Sequence, residues 1–413
     1  MSLAEPPAVL VTTLGAEAPV SVILPIWPIL LPILTIYQGG GMSDFYLVIV
    51  DTTGIQSYIF GSNRLRENVG ASYLVHMATG GWLMEESDTL LPPGQHNIEA
   101  TPTARKRLDR RIEADDSLMA EMLYSGGGNS VLIFRREEEA KSFGRKLSSR
   151  LIEQAPGLDA VMVIQPFDWT KNLAATMQEM GRQKGERSRS QLLLGLGVTA
   201  ACASTGLAAN YHETEPGTAQ EEERSRLSIS AEVAAKWDNN KAAKERLEDE
   251  LPIPKEYSYT YPDEFDDLGR TEGEQSYIGV VHANGNGMGQ ILEGITEKFV
   301  QKSPPLNREY IGELRRFSDK ANNVGLKALQ AVIDKIAEWN EKFDKKPKEL
   351  PPPGQMALRP ESNKEKGKPA YISILPIVFG GEDVTFVCDG RIVLQAAKVF
   401  LDAFSKETRP GAK

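Results

Sequence analysis

The chain has 413 residues, 41% of them hydrophobic and 25% charged, with a formal net charge of −10. That length suits two or three ordinary globular domains, and the acidic balance argues against a broad non-specific nucleic-acid surface while leaving room for a local basic groove. Two cysteines (Cys202, Cys388) and four histidines (His76, His96, His212, His282), none followed by Asp, argue against a disulfide framework, a structural zinc site and a His-Asp nuclease motif, and fit a reducing cytoplasm.

Residues 1–41 form an apolar leader. Val20 to Tyr37 reads VSVILPIWPILLPILTIY, close to the length of a membrane span. Pro25, Pro28 and Pro32 oppose a straight helix, and no Lys or Arg occurs before Arg64, so neither a signal-peptide n-region nor a positive-inside flank is present. The folded protein is expected to begin at Met42, after Gly39-Gly40-Gly41, with the leader outside the fold and no membrane partner. The other reading of the leader is an anchor.

Residues 42–168 read as a first domain. Phe45 to Val50 (FYLVIV) is a buried-strand run. Leu65, Val69, Tyr73 and Met77 recur at helical spacing. Glu121 to Tyr124 and Ser130 to Phe134 flank Gly126-Gly127-Gly128-Asn129 as a hairpin. Ala140, Phe143, Leu147 and Leu151 mark a second helix, and Ala160 to Phe167 closes the unit. The order β-α-β-β-α-β is that of a ferredoxin-like unit.

Residues 169–275 read as a mostly helical spacer. Its acidic runs, Glu221 to Glu223 and Asp263 to Asp267, suit a solvated face.

Residues 276–413 repeat the first plan. Tyr277 to Val281 is a strand, followed by a Gly-rich turn at Asn284 to Gly289 that should open a helix. Leu314, Phe317, Ala321, Leu329, Ile333 and Ile336 make a long amphipathic helix. Tyr371 to Phe379 and Val384 to Cys388 flank Gly380-Gly381, and Val393 to Phe404 is a last helix. The hairpins read alike, SGGGNSVLIF from Ser125 and FGGEDVTFVC from Phe379. The fold class expected is therefore α+β: two ferredoxin-like palm domains joined by the spacer. In the first copy 40 residues separate Gly127 from Phe167, but only 32 follow Gly381. No closing strand is left to place, so the second palm reads as C-terminally incomplete. The missing strand is expected from another molecule or from the leader.

Chemistry concentrates in the second copy. Palm enzymes join nucleotides with two divalent cations about 4 Å apart, which activate a 3′-hydroxyl and stabilise the leaving pyrophosphate. Such hard cations want carboxylate oxygens on a rigid element. Glu382 and Asp383, at the tip of an apolar hairpin, are the candidate catalytic residues and, with Asn284, the candidate ligands for Mg2+ or Mn2+. Gly380 and Gly381 let phosphate approach the backbone. Asn284, Gly285, Asn286, Gly287 and Gly289 follow a buried strand, where amides at a helix start face a triphosphate. An ordinary turn is the competing reading of either element alone; the pair together is more specific. The first hairpin offers Gly128-Asn129-Ser130 in place of Gly381-Glu382-Asp383, and Asp51 has no carboxylate partner there, so the first palm reads as degenerate and structural.

These stretches resemble a known family. Asp51 to Val75 (DTTGIQSYIFGSNRLRENVGASYLV) resembles the first palm of the large, polymerase-like subunit of type III CRISPR effector complexes, and HANGNGMGQIL and FGGEDVTFVCDGR resemble its second palm, over about Met42 to the C-terminus. The resemblance implies a Gly-Gly-Asp-Asp-type hairpin that joins ATP into cyclic oligoadenylate in antiviral defence, with CRISPR effector subunits and guide RNA as partners. The fold is shared with Gly-Gly-Asp/Glu-Glu-Phe cyclic-dinucleotide synthases, which accept Glu at the third hairpin position. The chain departs from the family in Glu382, in Asn284 where an Asp commonly supplies a ligand, and in having no preceding nuclease domain, inter-palm zinc cysteines or following helical domain. It is expected to be a stand-alone or truncated relative. It is read first as a nucleotidyl transferase or cyclase, and alternatively as a catalytically weak nucleotide-binding or scaffold protein in a CRISPR ribonucleoprotein.

Overall fold

The computed structural model describes residues 8–11, 22–25, 33–37, 44–83, 90–100, 105–107, 109–126, 128–185, 199–213, 227–268, 278–285, 288–345, 370–381 and 383–408. In chain order the strands that matter are β1 (Ile33–Tyr37), β2 (Phe45–Thr53), β3 (Ala120–Gly126), β4 (Asn129–Phe134), β5 (Asp159–Phe167), β6 (Ile278–Ala283), β7 (Ile374–Val378) and β8 (Val384–Asp389). The helices are α1 (Leu65–His76), α2 (Glu137–Gln154), α3 (Leu173–Gly185), α4 (Asn240–Glu250), α5 (Met288–Val300), α6 (Asn307–Lys345) and α7 (Val393–Thr408). The protein thus mixes helices with largely antiparallel sheets, an α+β architecture. Its described residues divide into two compact units, one from Met1–Tyr58, Leu74–Ala235 and Gly289–Arg316, the other from Ile59–Tyr73, Lys236–Met288 and Phe317–Lys413.

The first unit is built on a five-stranded sheet in the order β1-β5-β2-β4-β3. Strand β2 is central because its run FYLVIV is apolar on both faces, which suits a strand covered above and below. It pairs antiparallel with β5 over nine residues, Phe45↔Phe167 to Thr53↔Asp159, and with β4 from Tyr46↔Phe134 to Asp51↔Asn129. On one face Phe45, Leu47, Val131, Ile133, Val163 and Phe167 pack with Leu173 and Met180 of α3 and with Tyr310, Ile311 and Leu314 of α6. Helix α2 starts on an acidic turn, Glu137 to Glu139, which complements the helix dipole, and the Glu139 carboxylate accepts the Arg136 backbone N–H at 3.0 Å. Its buried stripe is Ala140, Phe143, Leu147 and Leu151, and the Phe143 ring lies 5.2 Å from that of Phe134 on β4.

One difference from the sequence reading lies in the leader. Ile33–Tyr37 runs as β1, parallel to β5 from Ile33↔Ala160 to Tyr37↔Ile164, inside the stretch expected to stand apart from the fold. The reason is physical: Pro25, Pro28 and Pro32 oppose a helix, but the five residues after Pro32 (ILTIY) contain no proline and are rich in β-branched and aromatic side chains, which suit an edge strand. No helix among the described residues is long and apolar enough to cross a membrane.

The second unit holds a three-stranded antiparallel sheet in the order β6-β8-β7. Strand β8 is central and buried along its length. Helix α7 packs across it, with Phe400 and Phe386 rings 6.3 Å apart. Gly279 of β6 admits α7 closely, since a Cβ there would lie 2.4 Å from the Val393 Cβ. Among the described residues β6 is an edge strand, and Ile278 and Val280 are exposed on it, Val280 by 63%. The leader strand, offered in the sequence reading as a possible cover for this edge, lies in the other sheet.

Candidate functional site

The register of the second sheet decides which candidate residues meet. Strands β6 and β8 pair from Ile278↔Asp389 to Ala283↔Val384. The next residues outward, Asn284 after Ala283 and Asp383 before Val384, therefore leave the same end of the ladder. The sequence placed them 99 positions apart in two separate motifs. His282, two residues before Asn284, is tied across the ladder to Thr385, with Nδ1 and Oγ1 2.8 Å apart.

Asp383 is half-buried, and its Oδ1 is enclosed without a hydrogen-bond partner. An ionised carboxylate oxygen in such a place is unfavourable unless something electropositive reaches it. Gly380 carries φ +97°, a conformation that disfavours any side chain, so the turn requires glycine there. Asn284 is exposed and Gly285 half-buried. Gly289 is exposed near the start of α5, among the residues of the first unit. Glu382, Asn286 and Gly287 lie outside the described residues. Among the described residues, no three His, Cys, Asp or Glu side chains are grouped to hold a metal ion.

Two helices press on the hairpin. From α6, Gly325 comes so near that an added Cβ would sit 2.7 Å from the Gly381 carbonyl oxygen, and Asn322 lies beside Gly380. From α4, the Arg246 guanidinium stacks on the Phe379 ring, 4.4 Å from its centroid. Neither contact was anticipated from sequence. A glycine inside a long amphipathic helix is the one available signal, because it costs about 1 kcal/mol there unless a neighbour needs the space. Gly325→Ala tests this. At a free helix position the change would stabilise; here the new methyl meets a backbone atom that cannot rotate away. The expected result in urea denaturation is a loss of about 1–3 kcal/mol, and a gain would mean the helix and hairpin are not in close contact.

Cys388, on β8 opposite Gly279, is a core residue rather than a nucleophile: burial, with Asp389 beside it, pushes its thiol up to about 12. The first unit's hairpin has a different chemistry at its own ladder end. There Val50 pairs with Ser130 and half-buried Asp51 with Asn129, and Thr52 binds the Gly128 carbonyl through both its amide (3.0 Å) and its hydroxyl (2.8 Å).

No family model matches the chain, and no curated protein matches it. Solved structures do. They include the Csm1-Csm4 cassette in complex with cA4 (14% identity, TM-score 0.42), the same cassette in complex with pppApA (12%, 0.44), and the Csm1-Csm4 subcomplex in the type III-A CRISPR-Csm interference complex (12%, 0.41). Each match covers 88% of this chain and 48% of the other, so the chain spans about half the length of the chains it matches.

Proposed function

We propose that the end of the β6–β8 ladder binds a nucleoside triphosphate with a divalent cation and carries out nucleotidyl transfer. The observation behind this reading is the meeting of Asn284 and Asp383 at one ladder end, beside a Gly-Gly turn, with a buried and unpartnered Asp383 oxygen. That oxygen fits the chemistry of Mg2+ or Mn2+, which take carboxylate and amide oxygens. Asp383, Glu382 and Asn284 would hold the ion, and a bound cation supplies positive charge against the triphosphate and the attacking hydroxyl.

The chain's own residues do the rest. The Gly380-Gly381 turn presents backbone without side chains, so a phosphate can approach it. Asn284 and Gly285, with Asn286 and Gly287 next in sequence, are assigned to the triphosphate side, where backbone amides favour anions. With such an ion bound, Asp383 would hold it at a fixed place beside the turn and so help orient the triphosphate, and fixed orientation lowers the entropic part of a barrier. ATP as the nucleotide, cyclic oligoadenylate as the product, a cytoplasmic setting and CRISPR effector subunits or guide RNA as partners extend the reading from the resemblance of the 51–75, 282–292 and 379–391 stretches.

A second reading is favoured by one residue. Asn284 brings an oxygen but no negative charge, so the site could bind nucleotide while turning it over slowly, as a scaffold would. Incubation with ATP and Mn2+ separates the two: pyrophosphate and linked adenylates support transfer, and ATP binding without either supports the scaffold. Restoring a carboxylate with Asn284→Asp is expected to tighten Mn2+ binding by about tenfold, since ligand charge sets affinity at such sites. Unchanged affinity would remove Asn284 from the cation site.

A further inference from the structure

We infer that Arg246 of α4 is a positioning residue for the Gly380-Gly381 turn, holding the hairpin in the shape from which Asp383 meets its ligand. The inference rests on the proposed reading of that site and adds a residue from a distant part of the chain. Arg246 touches the turn in three ways. Its guanidinium lies over the Phe379 ring at 4.4 Å. Its Nη2 donates toward the Phe379 carbonyl oxygen at 3.5 Å, the long limit of a hydrogen bond. The same nitrogen would lie 3.2 Å from a Cβ on Gly380, so the cation packs tightly against the turn at that position.

The guanidinium is itself held in place. Its Nε donates to Glu250 Oε1 at 2.8 Å and Nη2 to Oε2 at 3.3 Å, one helical turn along α4. An i,i+4 pair of this kind is ordinarily exposed and contributes little. Here the arginine side chain is only 11% exposed, and the surface that covers it includes the turn. Burying a guanidinium is unfavourable unless its plane and its donors are both used. Glu250 uses one edge, and the Phe379 ring uses the plane. Turn and cation lie against each other: Gly380 must be glycine for its φ of +97°, and Arg246 packs closely beside it. Arg246 is not proposed as a ligand or a reacting group. Its effect passes through the backbone of the turn to Asp383.

The test is hydrogen exchange on the full chain without metal or nucleotide, comparing Arg246→Leu and Arg246→Lys with the unsubstituted protein. The amides of Val378 and Thr385, the ladder pair that closes the hairpin beside the turn, are expected to exchange about tenfold faster in both variants, the size of effect that loss of one charge-assisted contact brings, while Phe386 to Cys388 in β8 stay protected. Lysine should not rescue, because it keeps the charge but loses the plane and the fork. Unchanged exchange at the turn in a folded variant overturns the inference, and so does full rescue by lysine. Where the Arg246 variants fail to fold, Phe379→Leu removes the ring and keeps an apolar side chain; faster exchange at the turn supports the role, and unchanged exchange overturns it. Because no ligand is present, this result stands apart from whether the site binds ATP, which Asp383→Ala reports.

Discussion

Replacing Asp383 with alanine is expected to leave a folded protein that has lost Mn2+-dependent ATP binding by at least about a hundredfold, the upper end of what losing even a supporting partner of a metal ligand costs. The fold should survive because the side chain makes no internal hydrogen bond through Oδ1 and stands just outside the β6–β8 ladder, which starts at Val384. The removal also takes away an enclosed, unpartnered carboxylate oxygen, so thermal stability without metal should be equal or slightly higher. Isothermal titration with ATP and Mn2+, beside a thermal melt, reads both. Asn129→Ala in the first unit's hairpin is the matched control and should leave binding unchanged. Equal losses from the two substitutions would mean that the first hairpin shares the work, and full binding by Asp383→Ala would remove the hairpin from the site.

Much of this arrangement is legible in the sequence because local forces write it. The run FYLVIV can only be a strand buried on both faces, and β2 sits between β4 and β5. The i, i+3, i+7 stripe of Ala140, Phe143 and Leu147 is the buried face of α2. The SGGGNSVLIF and FGGEDVTFVC segments lie at the turns joining β3 to β4 and β7 to β8. What stayed hidden is set by contacts between distant residues. The strand in the leader has no period that separates it from other apolar sequence, and only its pairing with β5 defines it. One long helix was expected before the second hairpin, yet α5 and α6 are separate, with Pro304 and Pro305 between them. The meeting of Asn284 with Asp383 follows from the register of β6 on β8, which neither motif encodes alone. Arg246 carries no local mark at all; among many arginines, only the chain's path shows which one reaches the turn.

The largest stability effect is expected at Glu121, in the first unit. Its side chain on β3 is 1% exposed and accepts from Arg308 Nη1 at 2.6 Å and Nη2 at 2.8 Å, from Arg315 Nη2 at 3.3 Å and from the Ile112 backbone N–H at 2.9 Å. Both arginines lie on α6, so this one carboxylate ties the start of that helix to the edge of the five-stranded sheet. Glu121→Ala removes an acidic group that both guanidiniums share and leaves positive charge enclosed, a change that costs about 3–5 kcal/mol where one partner of a buried pair is lost. Arg315→Leu should cost less, because Arg308 still neutralises the carboxylate. Arg308 also pairs with Glu113, Nε to Oε1 at 2.7 Å, and stacks on Trp169 at 4.5 Å. Burial pushes the Glu113 carboxyl up, but the hydrogen bond and charge of Arg308 outweigh it and hold the group below the usual carboxylate range. A carboxyl depressed in the folded state stabilises the protein above its unfolded value and loses that contribution as pH falls through the lowered one. The stability gap between the native protein and Glu113→Gln should therefore be full at neutral pH and close below about pH 4. Urea titrations of Glu121→Ala and Glu113→Gln at pH 7 and pH 3.5 measure both effects. A gap for Glu113→Gln that is unchanged at the lower pH, or a loss below 1 kcal/mol for Glu121→Ala (less than an ordinary buried hydrogen bond), would mean that this cluster does not carry the tie between α6 and the sheet.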